Sequence, residues 1–172
     1  MILIIDFGSQ TAHLIGRRLR QLGVDVVYSN PEEALDVIDE KHPTGIVFSG
    51  GPAFVTEQGS PTVSKKIFHL GIPILAICYG WQLMAHLLDG KVETKYKEFG
   101  PEIIHLKKTT GIFSLPEKEF TVIMSHGDSI TKLPSGFHVV GSTDRVPYAA
   151  VANEKKYFYG VLFHPEADHT EY

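Results

Sequence analysis

Pro73-Ile74-Leu75-Ala76-Ile77-Cys78-Tyr79-Gly80-Trp81-Gln82 decides the fold, because a short apolar run ends there at the chain's single cysteine and a helical pattern begins. Residues 74–77 are continuously apolar, as suits a parallel strand buried on both faces. Trp81, Leu83, Met84, Leu87 and Leu88 then recur at helical spacing. Cys78 therefore falls on the turn between strand and helix, where a nucleophile is lifted clear of the sheet and faces the first N–H groups of the helix. A second reading of the same stretch makes Cys78 an ordinary small core residue.

Working outward, the upstream sequence repeats the same unit. Residues 2–6 predict a strand, Phe7-Gly8-Ser9-Gln10 a tight connection, and residues 11–22 a helix with Leu14, Ile15, Leu19 and Leu22 on one stripe, ended by Gly23. A strand over 24–28 precedes a helix over 32–39, opened by Asn30-Pro31 and turning Ala34, Leu35 and Ile38 inward. A strand over 45–49 runs into Gly50-Gly51-Pro52, and Ser60-Pro61 opens a helix reaching Leu70. Strands alternating with helices imply a parallel, right-handed α/β sheet with its functional loops at the carboxyl ends of the strands.

Beyond Gly90 helical periodicity fades into short β-prone pieces over 91–95, 102–107, 119–124, 138–142, 148–152 and 157–163. Turn signals at Phe99-Gly100-Pro101, Leu133-Pro134-Ser135-Gly136 and Asn153-Glu154 separate them. The expected fold is a three-layer, open, mostly parallel sheet flanked by helices, with antiparallel strands extending its edge in the C-terminal half. One domain over 1–172 is expected, with a short segment missing after Glu171-Tyr172 because no closing helix follows the last functional loop.

Composition sets the limits. A chain of 172 residues buries about 70% of its extended-chain surface and needs no staples. No apolar run reaches the roughly 20 residues that span a bilayer, and Met1-Ile2-Leu3 lacks a basic leader. A cytoplasmic protein without a membrane partner is expected. One cysteine permits no internal disulfide, and a net charge of −4 argues against a nucleic-acid partner.

Three loops carry further chemistry. Phe163-His164-Pro165-Glu166 ends the last strong strand, and in an extended chain His164 and Glu166 point the same way. A thiol needs a base for its proton, and an imidazole needs a carboxylate to fix its tautomer; His164 and Glu166 suit those roles. Rival readings make His164, Glu166, Asp168 and His169 metal ligands, although their spacing matches no established set, or a solvated polar tail. Gly50-Gly51-Pro52 is either a tight turn or a backbone donor site beside Cys78, and lacks the spacing of a phosphate loop. Ser125-His126-Gly127-Asp128 is either a substrate-binding loop or a plain turn in which Asp128 caps Ser129-Ile130-Thr131. Gly80 is either tolerated in the helix or lets a substrate approach the backbone.

Together, Asp6-Phe7-Gly8-Ser9-Gln10, Ser49-Gly50-Gly51-Pro52, Cys78-Tyr79-Gly80-Trp81-Gln82, Ser125-His126-Gly127-Asp128 and Phe163-His164-Pro165-Glu166 resemble the class I, triad-type glutamine amidotransferases, whose fold is flavodoxin-like. The opening motif, the Ser-His-Gly-Asp loop and His169-Thr170 are most similar to the glutaminase components of GMP synthases. The resemblance implies that Cys78 attacks the carboxamide of L-glutamine, that His164 acts as acid and base, and that Glu166 orients His164. It also implies an oxyanion hole from the backbone of Gly51 and Tyr79, and substrate binding by Gln82, Gln10 and the backbone of Ser125, Gly127 and Asp128. No metal and no cofactor is implied in this chain; ATP and Mg would be used by a partner, an ATP-pyrophosphatase synthetase subunit or domain. That partner's Ser-Gly-Gly-x-Asp-Ser loop is absent, since Ser49-Gly50-Gly51 continues with Pro52. The chain would be either a free glutaminase subunit or the N-terminal domain of a longer one. Ala76 departs from the family's usual glycine, which bears on packing at the turn. Alternatives are a glutaminase serving anthranilate, aminodeoxychorismate or carbamoyl phosphate synthesis, a peptidase or deglycase of the related cysteine superfamily, disfavoured by Tyr79 after the nucleophile, and a non-catalytic regulatory homologue.

Overall fold

The computed structural model describes residues 1–108, 110–115 and 117–171; Thr109, Pro116 and Tyr172, the last of them the end of the expected domain, lie outside the described residues. The first half runs β1 (Ile2–Ile5), α1 (Ala12–Gln21), β2 (Val26–Ser29), α2 (Ala34–Lys41), β3 (Gly45–Phe48), β4 (Ile74–Ile77) and α3 (Tyr79–Leu87). The second half is β-rich: β5 (Lys91–Glu93), β6 (Glu98–Leu106), β7 (Glu119–His126), β8 (Ser129–Lys132), β9 (His138–Ser142), β10 (Ala150–Asn153) and β11 (Phe158–Val161). Nine strands form one sheet in the order β2-β1-β3-β4-β11-β10-β9-β6-β7, and β5 pairs with β8 separately. From β2 to β11 neighbours are parallel; from β11 on to β7 they are antiparallel. The expected mixed sheet with an antiparallel extension is therefore present.

Register fixes the layers. Ile5, Phe48, Ala76 and Gly160 share one face, whereas Ile4 and Val47 share the other. Trp81 of α3 lies over Gly160, where a Cβ would come within 2.5 Å of the indole. Gly16 of α1 lies over the opposite face, close to Ile4 and to the Tyr28 hydroxyl. Helices thus cover both faces, and the small residues mark where they come closest. Ala76 is fully buried in the strand beside Gly160, so the elbow accommodates its methyl while Gly160 makes room for the indole.

Several boundaries differ from expectation for identifiable reasons. Leu22 does not join the apolar stripe of α1: it is the helix's C-cap and 78% exposed, while Ala12 and Gly16 take the buried positions. The helix expected from Ser60 shrinks to a 3₁₀ turn, Lys65–His69, capped by the Ser64 hydroxyl. Residues upstream of it are held in place instead, as the Pro61 carbonyl accepts the Tyr79 hydroxyl at 2.5 Å and the Ser60 hydroxyl donates to the Phe54 carbonyl at 2.5 Å. Phe99-Gly100-Pro101 is no turn but part of β6, with Gly100 at φ 97°. Pro101 is tolerated because β6 bonds β9 only at His105 and Leu106, leaving the proline's missing N–H without consequence. Asp128 caps no helix, since Ser129–Lys132 is a strand.

The antiparallel strands curl. β7 ends the strand order, yet Met124 bridges Phe163 and the His164 N–H donates to the Ile123 carbonyl at 2.9 Å. That return brings residues 125–128 over the carboxyl ends of β4 and β11.

Candidate active site

Cys78 sits at φ 48°, ψ −108°, a conformation that L residues rarely adopt. The strain is over-determined on both sides: the Cys78 N–H joins the ladder to the Val161 carbonyl at 2.8 Å, and its carbonyl accepts the Gln82 N–H at 3.0 Å. Gly80 lets the elbow close. Its N–H donates to the Ser49 carbonyl at 3.1 Å, and a Cβ there would stand 2.6 Å from that of Phe48 and 2.8 Å from two carbonyl oxygens. Close packing against the end of β3, rather than access for a substrate, therefore requires this glycine.

Cys78 is 5% exposed, with its thiol 3.6 Å from the Ser125 carbonyl. His164 follows β11, the parallel neighbour of β4, and its Nδ1 lies 2.9 Å from Oε1 of Glu166. The carboxylate can only accept, so Nδ1 carries the hydrogen and Nε2 is left for the thiol. The two residues meet through a turn and not an extended strand, because the Ala167 N–H closes on the His164 carbonyl at 3.2 Å. Burial alone would lower the His164 pKa, but hydrogen bonds and charge from Cys78 and Glu166 hold it up to about 10. Burial would raise the Glu166 carboxyl, yet its bonds to His164 and Thr11 win and hold it below the ordinary value.

Thr11 is a residue the sequence reading missed. Its hydroxyl donates to Oε1 of Glu166 at 2.7 Å, and Ser9 supports it through a hydroxyl contact of 2.9 Å. Asp6 shapes that loop by accepting the N–H groups of Gly8 and Ser9 at 2.9 and 3.0 Å. A hydroxyl in a loop far away in sequence carries no signal of its own; Thr11 lies next to the Asp6-Phe7-Gly8-Ser9-Gln10 motif, which was the one available pointer.

A cavity of about 530 Å³ opens at this edge, lined by Cys78, His164, Gly51, Gln82, Gln10, Ser125, Gly127 and Asp128 among others. Tyr79 and Glu166 stand behind its wall. Tyr79 points away, its hydroxyl on Pro61 and its ring 5.5 Å from that of Phe7, and burial raises its phenol to about 12. Gly51 packs so tightly that a Cβ would come within 2.7 Å of the Phe7 carbonyl and 3.3 Å of the Tyr79 ring. The Gln82 amide is committed to the Asp128 carbonyl at 2.8 Å, and the Asp128 carboxylate accepts the Thr94 hydroxyl at 2.5 Å. Asp168, offered above as a metal ligand, instead pairs with Arg18 at 2.7 Å. Among the described residues no helix is long and apolar enough to cross a membrane.

The sequence model of the family described as Glutamine amidotransferase class-I matches residues 3–172. A GMP synthase [glutamine-hydrolyzing] of Staphylococcus carnosus is 46% identical over 173 residues, covering 100% of this chain and 34% of that protein. One of the same name from Streptococcus pyogenes serotype M3 is 43% identical over 175 residues, covering 99% and 34%. The chain thus spans about a third of the length of these curated relatives. Among solved structures, a protein of Thermoplasma acidophilum described as a "putative gmp synthase subunit a" superposes with a TM-score of 0.89 at 32% identity, covering 99% of this chain and 86% of that one. A glutamine amidotransferase of Thermotoga maritima, at 21% identity and a TM-score of 0.76, shares the fold. With a strained cysteine facing a histidine–glutamate pair on a sheet of this topology, and with the family match running nearly end to end, the chain belongs to the class-I glutamine amidotransferases.

Proposed function

We propose that the chain is the glutaminase component of a GMP synthase, hydrolysing L-glutamine to glutamate and ammonia and passing the ammonia to an ATP-pyrophosphatase subunit or domain that aminates XMP. The observation that carries the reading is the elbow cysteine with the Glu166-oriented His164 on the wall of one cavity. The full-length relatives named GMP synthase supply the choice of acceptor.

In this reading the Cys78 sulfur attacks the carboxamide carbon with the proton already held on Nε2 of His164, whose ring is kept charged by Cys78 and Glu166. Backbone N–H groups of Gly51 and Tyr79 take the charge that develops on the carbonyl oxygen. His164 returns the proton to the departing nitrogen, ammonia leaves, and a glutamyl thioester remains on Cys78. Water, deprotonated by the same imidazole, adds to the thioester and releases glutamate with the thiol restored. Glu166 keeps Nδ1–H directed inward and stabilises the imidazolium. Ser125, Gly127 and Asp128, with Gln82 and Gln10, hold the amino-acid end of glutamine. ATP and Mg belong to the partner, and we place the chain in the cytoplasm, where its thiol stays reduced.

The test combines the chain with a GMP-forming synthetase lacking its own glutaminase, in the presence of ATP, Mg, XMP and glutamine. Glutamine-dependent GMP formation is expected, with Cys78→Ala abolishing it while ammonia-dependent synthesis continues. Glutamate release without any gain in GMP would reassign the chain to another amidotransferase partner.

A further inference from the structure

Behind the turn at residues 125–128 lies a polar cluster that this chemistry does not use. Glu98 at the start of β6 and His126 at the end of β7 are register partners, and both side chains are fully buried. Nε2 of His126 stands 3.8 Å from Oε2 of Glu98, and neither atom has a hydrogen-bond partner. Their other polar atoms are committed. The Thr143 hydroxyl donates to Oε1 of Glu98 at 2.7 Å, and Nδ1 of His126 lies 2.9 Å from the Asp128 carbonyl oxygen. The same carbonyl accepts the Gln82 amide at 2.8 Å.

Donor accounting leaves two protonation states in which Nε2 of His126 and Oε2 of Glu98 attract each other. A carbonyl only accepts, so Nδ1 of His126 carries a hydrogen. If the ring is neutral, Nε2 presents a lone pair that a protonated Glu98 can face and an ionised one would repel. If the ring is charged, Glu98 is ionised and the two form a buried ion pair. Desolvation weighs against the second case, pushing the Glu98 carboxyl up and the His126 imidazole down. Charged neighbours are few: Glu102, Arg145 and Asp144 near Glu98, His164 and Asp128 near His126. Two buried ions held 3.8 Å apart without a hydrogen bond would recover little of their lost hydration.

We infer that Glu98 is a positioning residue held as a neutral carboxylic acid, its proton directed at Nε2 of His126, so that the ring fixes the Asp128 carbonyl and the turn that closes the pocket. The chain of contacts is Thr143 to Glu98 to His126 to Asp128, with Gln82 meeting it from α3. Its effect on the substrate rests on the glutamine reading above, whereas the protonation state does not.

Nitrogen-15 NMR of the His126 ring and carbon-13 NMR of the Glu98 carboxyl in the labelled chain read the two states directly. Near neutral pH a neutral ring protonated on Nδ1 beside a protonated carboxyl is expected; a doubly protonated ring, one protonated only on Nε2, or an ionised carboxyl would overturn the inference. Glutamine affinity is then measured by calorimetry in a Cys78→Ala background, where substrate is not consumed. Glu98→Gln is expected to keep the affinity, because its amide oxygen accepts from Thr143 while its NH₂ donates to Nε2. Glu98→Leu is expected to weaken it about tenfold, the scale of one lost buried hydrogen bond. Equal weakening by both variants would overturn the neutral-donor role. Absence of any glutamine binding in the Cys78→Ala parent would count against the substrate assignment, and the NMR result would still decide the state of Glu98.

Discussion

Replacing Cys78 by glycine should give a more stable protein than replacing it by alanine, the reverse of the usual order. At φ 48°, ψ −108° the residue lies where a Cβ is penalised and glycine is not. Residues held in such regions carry strain of order 1–3 kcal/mol. Glycine gives back roughly 0.5–1 kcal/mol through its greater freedom in the unfolded chain. The balance favours glycine by about 1 kcal/mol, or about 2–4 °C in Tm for a domain of this size. Comparison with alanine rather than with the native residue isolates the backbone, since both variants lose the buried sulfur. Differential scanning calorimetry of the two proteins under one condition is the assay, and both should be inactive toward glutamine. If Cys78→Ala melts at or above Cys78→Gly, the elbow carries no such strain.

Other outcomes follow from the wiring of the triad. His164→Ala should slow glutamate release more than Glu166→Gln, because a neutral amide can still orient the ring but nothing replaces the proton carrier; an equal or reversed order would refute that division of roles. Thr11→Val removes the hydroxyl that lies 2.7 Å from Oε1 of Glu166. A hydrogen bond to a charged group contributes about 1.5–3 kcal/mol, so the acid limb of the pH–rate profile should move up by about one to two units; an unmoved limb would show that Thr11 does not tune the carboxylate. For stability, His164 is raised from 6.5 to about 10, so its contribution is complete below 6.5 and is lost as pH climbs toward 10. Glu166 is lowered from 4.5, so its contribution is complete above 4.5 and is lost on acidification. Denaturant titration should therefore find the stability gap between wild type and His164→Ala widest between pH 4.5 and 6.5 and narrowing with rising alkalinity; a gap that widened instead would reverse the assigned shift.

Local chemistry was readable where one strand and its loop carried it. The apolar run 74–77 returned the strand at its observed bounds, and 138–142 did the same for β9. The alternation of strands and helices up to α3 was legible for the same reason: each unit buries its own periodic face. What escaped the sequence depended on distant partners. Ser60-Pro61 has the residues of a helix start, but the Tyr79 and Phe54 contacts pin that stretch first. Phe99-Gly100-Pro101 has the residues of a turn, but pairing with residues 123–125 of β7 extends it. Thr11 and Glu98 act through contacts 155 and 28 positions away, to Glu166 and His126, and no periodicity announces such a pair.

Most of the unpaired buried polar atoms among the described residues gather at one edge, and this argues for function independently of any motif. Among the described residues four buried side-chain atoms lack a hydrogen-bond partner, and three of them, Oε2 of Glu166, Oε2 of Glu98 and Nε2 of His126, belong to the triad or the turn beside it. The strained backbone of Cys78 lies there as well, while the other non-glycine residues at positive φ, His42, Asp89 and Tyr157, belong to connections between elements. An unmet polar atom costs on the order of 1–3 kcal/mol; away from this edge the described residues leave only Nε1 of Trp81 in that state. A chain selected only to fold would satisfy or remove these groups. Their retention around one cavity is what a catalytic edge requires, with a thiol held out of the sheet, a carboxylate kept charged against its burial and a second carboxyl kept neutral by it.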